Sequence, residues 1–359
     1  MHRTTCSTSS FSTLRRVVTG LIISTCLWSA QAAKAQKATE AESSYAQRED
    51  VKRFASELAQ RHQWDEAWVQ NVLRQARFQP RVTRLIMPAP TGVAKDWAAY
   101  RARMVEPVRL RAGLAFWQAN ERWLRLAEEY YGVPPEIVVG LLGVESIFGQ
   151  QMGSFRVVDT LATLAFDFPT GRSDRSAFFR SELEDLLVLA KREQVDPLSI
   201  KGSFAGAIGM PQFMPSSINK YAVDFDSNGH INLQTSSADV IGSVAHYLAQ
   251  FGWQREWPTY FEVTPPTNSD HLATLLGPDI VPLFSPEEFT DKGALLPSRA
   301  LSHSGKLALV LLQNGAAAPT YVAGTSNFYA ITRYNWSSYY ALAVISLGEA
   351  LRESRAQGR

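Results

Sequence analysis

Between Glu136 and Arg156 the chain carries one formal charge, Glu145, and it lies in the otherwise apolar run VPPEIVVGLLGVESIFG at Val133–Gly149. Prolines at the first helical positions and Gly149 behind the last apolar residue bracket a helix. A lone carboxyl on an apolar helix is costly to ionise. Desolvation raises its pKa, and the partial negative charge at a helix C-terminus adds to the effect. A carboxyl that stays protonated near neutral pH is what a glycosidic oxygen needs as its proton donor. A solvent-facing glutamate on an amphipathic helix fits the same residues.

The helix belongs to a chain of 359 residues, 45% hydrophobic and 19% charged, enough for a large core and two or three globular domains. Net charge is +2, with three arginines and no acid in residues 1–32, so the remainder carries −1. A near-neutral body without a basic run excludes nucleic acid as the main partner. Arg15 and Arg16, the apolar Val17–Leu27 and the Ala-x-Ala sites at Ala30–Ala32 and Ala33–Ala35 read as an export signal over 1–32. The apolar run is too short for a membrane span. Cleavage after Ala32 removes both cysteines, Cys6 and Cys26, so no disulfide or thiol chemistry is expected. Ile23–Cys26 is similar to a lipobox, although Thr25 is bulky for the position before the cysteine. Lipidation of Cys26 is the alternative to simple cleavage, and membrane attachment depends on it.

Residues 33–47 read as a flexible leader. Helical spacing begins near Asp50 (Phe54, Leu58) and continues at Trp68, Val69, Val72, Leu73 and Ala76. One long helical stretch is expected from about Lys95 to Tyr131. From Trp257 to about Asn335, proline pairs, β-rich runs such as Leu307–Leu312 and Gly or Asn turns read as a small antiparallel β module. Tyr339–Arg355 returns to helix. The resulting division is a helical domain over 48–124 joined by the C-terminal helix 339–355, a core over 125–252 and a small β domain over 253–338. The fold class is mainly α, with a minor antiparallel β part. A second segment of interest, GSFAGAIGMPQFMPSS at Gly202–Ser217, is too rich in Gly and Pro for a regular helix throughout. It offers close backbone approach with amide and hydroxyl groups, as a sugar site requires, or is an ordinary structured loop.

Four motifs in order, GVESIFG around Glu145, RVVDTLATLAFDFP at Arg156–Pro169, the Gly202–Ser217 segment and YAVDFDSNG at Tyr221–Gly229, are similar to the membrane-bound lytic murein transglycosylase B family, glycoside hydrolase family 103. The similarity runs from YRARMVEP at Tyr100–Pro107 to NFYAITRYN at Asn327–Asn335. The resemblance implies a lysozyme-like core and cleavage of the β-1,4 bond between N-acetylmuramic acid and N-acetylglucosamine in peptidoglycan. It implies Glu145 as the single catalytic carboxyl: acid to the glycosidic oxygen, then base to the muramoyl 6-hydroxyl, which closes a 1,6-anhydro ring. Asp159 and Asp167 then have no chemical role. Ser203 matches a position contacting the acetamido group that steadies the oxocarbenium-like charge. Tyr100, Gln212, Tyr334 and Tyr340 match positions lining the glycan cleft. Two adjacent arginines usual in the family are here split into Arg172 and Arg175, of which Arg175 is the one expected to reach the glycan or its peptide. His246 stands where the family commonly has Asn. The export signal and the resemblance together imply the periplasm of a Gram-negative bacterium, with peptidoglycan strands and other cell-wall enzymes as partners.

Asp224-Phe225-Asp226-Ser227-Asn228-Gly229-His230-Ile231 follows EF-hand order: oxygens at positions 1, 3 and 5, Gly at 6, the His230 carbonyl at 7. Position 12 is Thr235, so the usual glutamate is missing, and the resemblance puts Asp239 in its place. A structural calcium is expected, with no cofactor for catalysis; an Asx and Asn-Gly turn is the plainer reading. Two rival functions stand beside the transglycosylase: a lysozyme-type hydrolase of the same glycan, and a non-catalytic peptidoglycan-binding protein.

Overall fold

The computed structural model describes residues 45–88 and 95–358. The export segment with Cys6 and Cys26, nearly all of the leader, and Pro90 lie outside the described residues. The chain divides into two compact units at Gln79/Pro80, inside the region 48–124 read above as one helical domain.

In the first unit Tyr45–Gln47, at the end of the expected leader, form a 3-10 turn. Helices α1 (Glu49–His62) and α2 (Glu66–Arg74) follow. Val51, Ala55 and Leu58 of α1 and Val69, Val72 and Leu73 of α2 are buried, the i, i+3, i+4 spacing of a core-facing stripe. Asp65 caps α2 by accepting from Ala67 N at 3.0 Å.

The second unit opens with α3 (Pro80–Leu85), α4 (Trp97–Met104), α5 (Pro107–Ala119) and α6 (Glu121–Tyr131). The single stretch expected from Lys95 to Tyr131 is thus three helices. Val105 leaves helical geometry at φ −102°, ψ 73° ahead of Glu106 and Pro107, and Asn120 at φ −119° makes the second break. Proline has no N–H for a continuing helix. Glu106 caps the new one, accepting from Val108 N and Arg109 N at 2.7 and 2.8 Å.

Helix α7 (Pro135–Ser146), strand β1 (Phe155–Arg156), α8 (Val157–Phe166), α9 (Ser176–Arg192), β2 (Lys201–Gly202), α10 (Pro215–Tyr221) and α11 (Ser237–Gln250) come next. Residues Val157–Ala165 of α8 are all buried, Asp159 among them beside its ion-pair partner Arg156. The β module holds β3 (Tyr260–Glu262), α12 (Ser269–Leu276), α13 (Pro286–Asp291), α14 (Ser298–Leu301), β4 (Ala308–Asn314) and β5 (Ala317–Gly324). Its antiparallel sheet has the order β3-β5-β4 and a core of Phe261, Leu275, Phe289, Leu307, Leu309 and Ala323. Helices α15 (Ser326–Thr332) and α16 (Ser338–Gln357) close the chain. The fold class expected from the sequence, mainly α with small antiparallel sheets, is the one found.

One contact positions everything that follows. Helices α7 and α16 run antiparallel, and the two glycines at their crossing face backbone. A Cβ at Gly140 would overlap the carbonyl oxygen of Val344, and one at Gly348 would overlap that of Glu136. Only glycine allows the helices this close. The register carries the C-terminal turn of α7, with Glu145, to the N-terminal turn of α16, with Tyr340.

Candidate active site and metal loop

Glu145 lies one residue before the end of α7, where the backbone turns sharply. Ile147, Phe148 and Gly149 are successively left-handed at φ 50°, 54° and 87°. That conformation is costly for a β-branched residue such as Ile147. It is held by Phe148 N donating to Leu142 O at 3.2 Å and Gln151 N to Ser146 O at 2.8 Å. The buried Ser146 hydroxyl donates to Met210 O at 2.6 Å and accepts from Gly149 N at 3.0 Å. This hydroxyl clamps the helix end to the Gly202–Ser217 segment. Ser146 was not singled out from the sequence, although it follows Glu145 directly in the motif. Arg109 was also missed: its Nε donates to Gly143 O at 3.1 Å, at the last turn of α7.

The Glu145 carboxyl accepts from the Tyr340 hydroxyl at 2.5 Å on Oε1. Burial pushes its pKa up to about 7, and the Tyr340 hydrogen bond works in the opposite direction by favouring the ionised form. Tyr340 is 3% exposed and stacks on Tyr334, with centroids 6.4 Å apart and planes 17° apart. The Tyr334 hydroxyl donates to Pro211 O, and its ring meets Phe213 and Tyr247 at 5.5 and 4.9 Å. Both phenols are held well above their ordinary pKa, by burial first and by the Glu145 charge second, so they act as neutral donors. Tyr100 is raised too, by burial and then by the same carboxyl. Tyr100 is fixed edge-on to Tyr339 at 6.3 Å, and Tyr339 is tied to the β module by accepting from Gln313 N at 2.7 Å.

The Gly202–Ser217 segment is folded on itself by glycine-dependent contacts. A Cβ at Gly202 would overlap the Ala207 carbonyl, and Gly206 and Gly209 have φ of 92° and 73°. Ser203 Oγ accepts from Ala205 N at 3.2 Å and Ala207 N at 3.0 Å. Its own hydrogen remains to be donated. Gln212, left-handed at φ 52°, donates through Nε2 to Gly209 O at 2.7 Å and Met152 O at 3.2 Å. Both amide hydrogens are committed, which leaves Oε1 as an acceptor. Arg175 stands apart from this network. It is exposed before α9, with its guanidinium 4.5 Å from the Phe178 ring centre and 5.6 Å from that of Phe179. Asp159 pairs with Arg156 at 2.6 Å. His246 binds Tyr221 O through Nδ1 at 2.8 Å, a bridge between α11 and the last residue of α10.

In the loop at 224–239, ligand oxygens of Asp224, Asp226 and Asp239 lie within 4.8 Å of one another. Asp224 accepts from Asn228 N at 3.0 Å and Gly229 N at 2.7 Å, while Asp239 accepts from Phe225 N at 2.9 Å and Asn232 N at 2.8 Å. Those bonds and the left-handed Ser227 and Gly229 preshape the loop. Asp226 Oδ1 is buried with no hydrogen-bond partner, an expensive state for a carboxylate oxygen. Asp239 is shifted up by burial first, with repulsion from Asp226 and Asp224 adding to it. A cation among the three carboxylates would relieve both. Asn228 Oδ1 accepts from His230 N at 3.0 Å and keeps a second lone pair. The His230 ring turns to Glu193 at 3.9 Å, so this residue's contribution would be its carbonyl. The chemistry of this all-oxygen donor set fits a hard divalent cation.

Comparison with known proteins gives a consistent set of relatives. The sequence profile of the transglycosylase SLT domain matches residues 46–349. The membrane-bound lytic murein transglycosylase B of Escherichia coli strain K12 is 37% identical over 329 residues, covering 87% of this chain and 85% of that protein. The crystal structure of Escherichia coli lytic transglycosylase Slt35 in complex with calcium is 38% identical, with a TM-score of 0.76 over 86% of this chain and 94% of that one. Pseudomonas aeruginosa SltB3 in complex with NAG-anhNAM-pentapeptide is 30% identical, with a TM-score of 0.72 over 85% of this chain and 79% of that one.

Proposed function

The chain belongs to the transglycosylase SLT-domain family, as a lytic murein transglycosylase acting on peptidoglycan, and on that basis we propose that Glu145 is the one group that performs both of its proton transfers. The observation that carries the assignment is a half-buried carboxyl at the end of α7 with one oxygen pinned by Tyr340, and burial raises its pKa to about 7. Because Oε1 accepts from Tyr340, Oε2 is left to hold the exchangeable proton. Glu145 gives that proton to the glycosidic oxygen as the bond to the anomeric carbon breaks. The resulting carboxylate removes the proton of the muramoyl 6-hydroxyl as its oxygen bonds to the anomeric carbon. Glu145 ends protonated, and no water is consumed. Asp159 is already paired with Arg156, which supports a single-carboxyl scheme over a hydrolase that would use it as a second carboxylate.

Around this pair, Ser203 donates its spare hydrogen to the acetamido carbonyl of the muramoyl sugar. Gln212 accepts from a sugar hydroxyl through Oε1. Tyr100 and Tyr334 supply ring faces along the strand, and Arg175 takes a carboxylate of the stem peptide. The region 125–252 thus carries the acid, the sugar loop and the metal loop, while the C-terminal helix completes the site with Tyr340. The export signal supports a periplasmic location in a Gram-negative bacterium, with Cys26 the point of attachment if the protein is lipidated. No described helix is long and apolar enough to cross a membrane.

The pH dependence tests the assignment. Only the protonated form of Glu145 starts the reaction, so kcat/KM falls as pH rises through about 7. Tyr340→Phe removes the bond that favours the ionised form, so the falling limb moves to higher pH while turnover drops. A limb that stays in place in Tyr340→Phe would show that another group sets it.

Calcium is the cation we assign to Asp224, Asp226, Asn228, the His230 carbonyl and Asp239, supported by the orphaned Asp226 oxygen and the calcium-bound relative. Its part is to hold the loop together, since the metal site contains none of the proton-transfer groups. Calcium added to chelator-treated protein is expected to raise the melting temperature, because binding at 100-fold over Kd contributes about 2.7 kcal/mol to the folded state. Asp226→Asn should remove most of that rise. An unchanged wild-type melting temperature in millimolar calcium would reduce the loop to a turn.

A further inference from the structure

The connection between α15 and α16 carries a feature that the reaction does not use. Trp336 is 53% exposed, yet its ring is fixed edge-on to Tyr329, with centroids 5.9 Å apart and planes at 84°. Beside it the Arg333 guanidinium lies 5.3 Å from the Trp336 ring centre, 5.4 Å from Phe251 and 5.8 Å from Tyr329. Among the described residues no carboxylate pairs with Arg333. Three rings hold the guanidinium, and its N–H donors are left uncommitted.

This platform is continuous with the residues around Glu145. Arg333 O accepts from the Tyr247 hydroxyl at 2.7 Å, and the Tyr247 ring lies 4.9 Å from Tyr334. Tyr334 in turn holds Pro211 of the sugar loop and stacks on Tyr340. Trp336 is two residues beyond Tyr334 and four before Tyr340. An exposed, immobilised indole suits the apolar face of a sugar ring. A guanidinium beside it suits a carboxylate, bound through two parallel N–H bonds.

We propose that Trp336 and Arg333 form an outlying peptidoglycan subsite, in which the indole stacks on a sugar of the same strand beyond the bond being cut and the guanidinium pairs with a carboxylate of that sugar's stem peptide. The proposal rests on the reading of Glu145 and its tyrosines as the cutting site. It gives the enzyme a second grip on a polymer, and that grip distinguishes a peptide-bearing strand from a bare one.

Binding is measured with the non-cutting Glu145→Gln protein, on intact sacculi and on glycan strands stripped of stem peptides by an amidase. Adding Trp336→Ala is expected to weaken binding about five- to tenfold on both, from loss of a stacked ring. Adding Arg333→Gln is expected to weaken binding to intact sacculi and to leave stripped strands unchanged. Both side chains are exposed, so unchanged melting temperatures confirm folding. A Trp336→Ala loss below threefold on either substrate overturns the subsite, and an Arg333→Gln effect that is absent or equal on both overturns the carboxylate contact. Failure of the underlying reading is a separate result, seen as wild-type protein that releases no anhydro ends at all.

Discussion

Glu145→Gln is expected to fold, to bind glycan strands and to cut them about 10²–10⁴-fold more slowly than the wild type, the loss expected on removing a general acid–base group. Glutamine keeps the shape of the side chain, and its Oε1 still accepts from Tyr340, so the packing around the end of α7 has no reason to change. The substitution also has a stability signature whose sign follows from the raised pKa. The folded protein holds a proton on Glu145 up to about pH 7, whereas an exposed glutamate loses it near 4.5. The folded state therefore binds more protons between those values, and the Glu145 contribution to stability declines as pH rises through 7. The neutral glutamine does not titrate. Glu145→Gln should accordingly melt above the wild type at pH 8, with the gap closing toward pH 5. A variant that melts below the wild type at pH 8 would mean that the carboxylate is stabilised in the fold, against the burial argument. Near-normal turnover would remove Glu145 from the chemistry.

The second large effect is expected at Gly140→Val. Its new side chain would have to occupy the volume of the Val344 carbonyl, and backbone has nowhere to move except by separating α7 from α16. Overpacking in a close-packed interior costs about 1–3 kcal/mol, and more where the obstacle is main chain. The functional loss should exceed what the loss of stability explains, because the same register sets the 2.5 Å contact between Tyr340 and Glu145. Turnover measured well below the melting temperature should fall at least tenfold, with the falling limb of the pH profile displaced. Gly140→Ala should show the same changes in smaller degree. Wild-type melting and turnover in Gly140→Val would show that the crossing has slack and does not position the acid.

What the sequence revealed and what it hid divide along the range of the interactions. Glu145 stood out as the one formal charge between Glu136 and Arg156, a local mark that fits a solvent-facing glutamate equally well, and its proposed role came through the family resemblance. The aspartate loop was legible in part: Asp224, Asp226 and Asn228 follow from local spacing, whereas Asp239 was named through the resemblance. Tyr340 was named only through family resemblance, since its partner lies 195 residues away and no periodicity in α16 points to it. Nothing in the sequence marked Gly140 and Gly348, which matter only because each faces backbone at the helix crossing. Ser146 was hidden by its neighbour: its buried hydroxyl matters through Met210, and sequence alone does not bring those two together. The long helix expected over 95–131 failed at a visible marker, Pro107, where apolar spacing continued across a break that the proline and the Glu106 cap impose. Arg175, named through the resemblance across an insertion, lies over the Phe178 ring, and its proposed role depends on what the glycan brings to it.

The account turns on one carboxyl acting first as acid and then as base, with the muramoyl 6-hydroxyl in place of water. That hydroxyl is tethered to the reacting sugar and so has a high effective concentration over solvent. Mass spectrometry of fragments released from purified sacculi tests this most directly, because the anhydro product lacks one water relative to a reducing sugar. The prediction is that wild-type protein releases fragments ending almost entirely in 1,6-anhydromuramoyl residues and that Glu145→Gln releases neither kind of end at a comparable rate. Fragments dominated by reducing ends would contradict it and would place a water, with a second activating group, in the site.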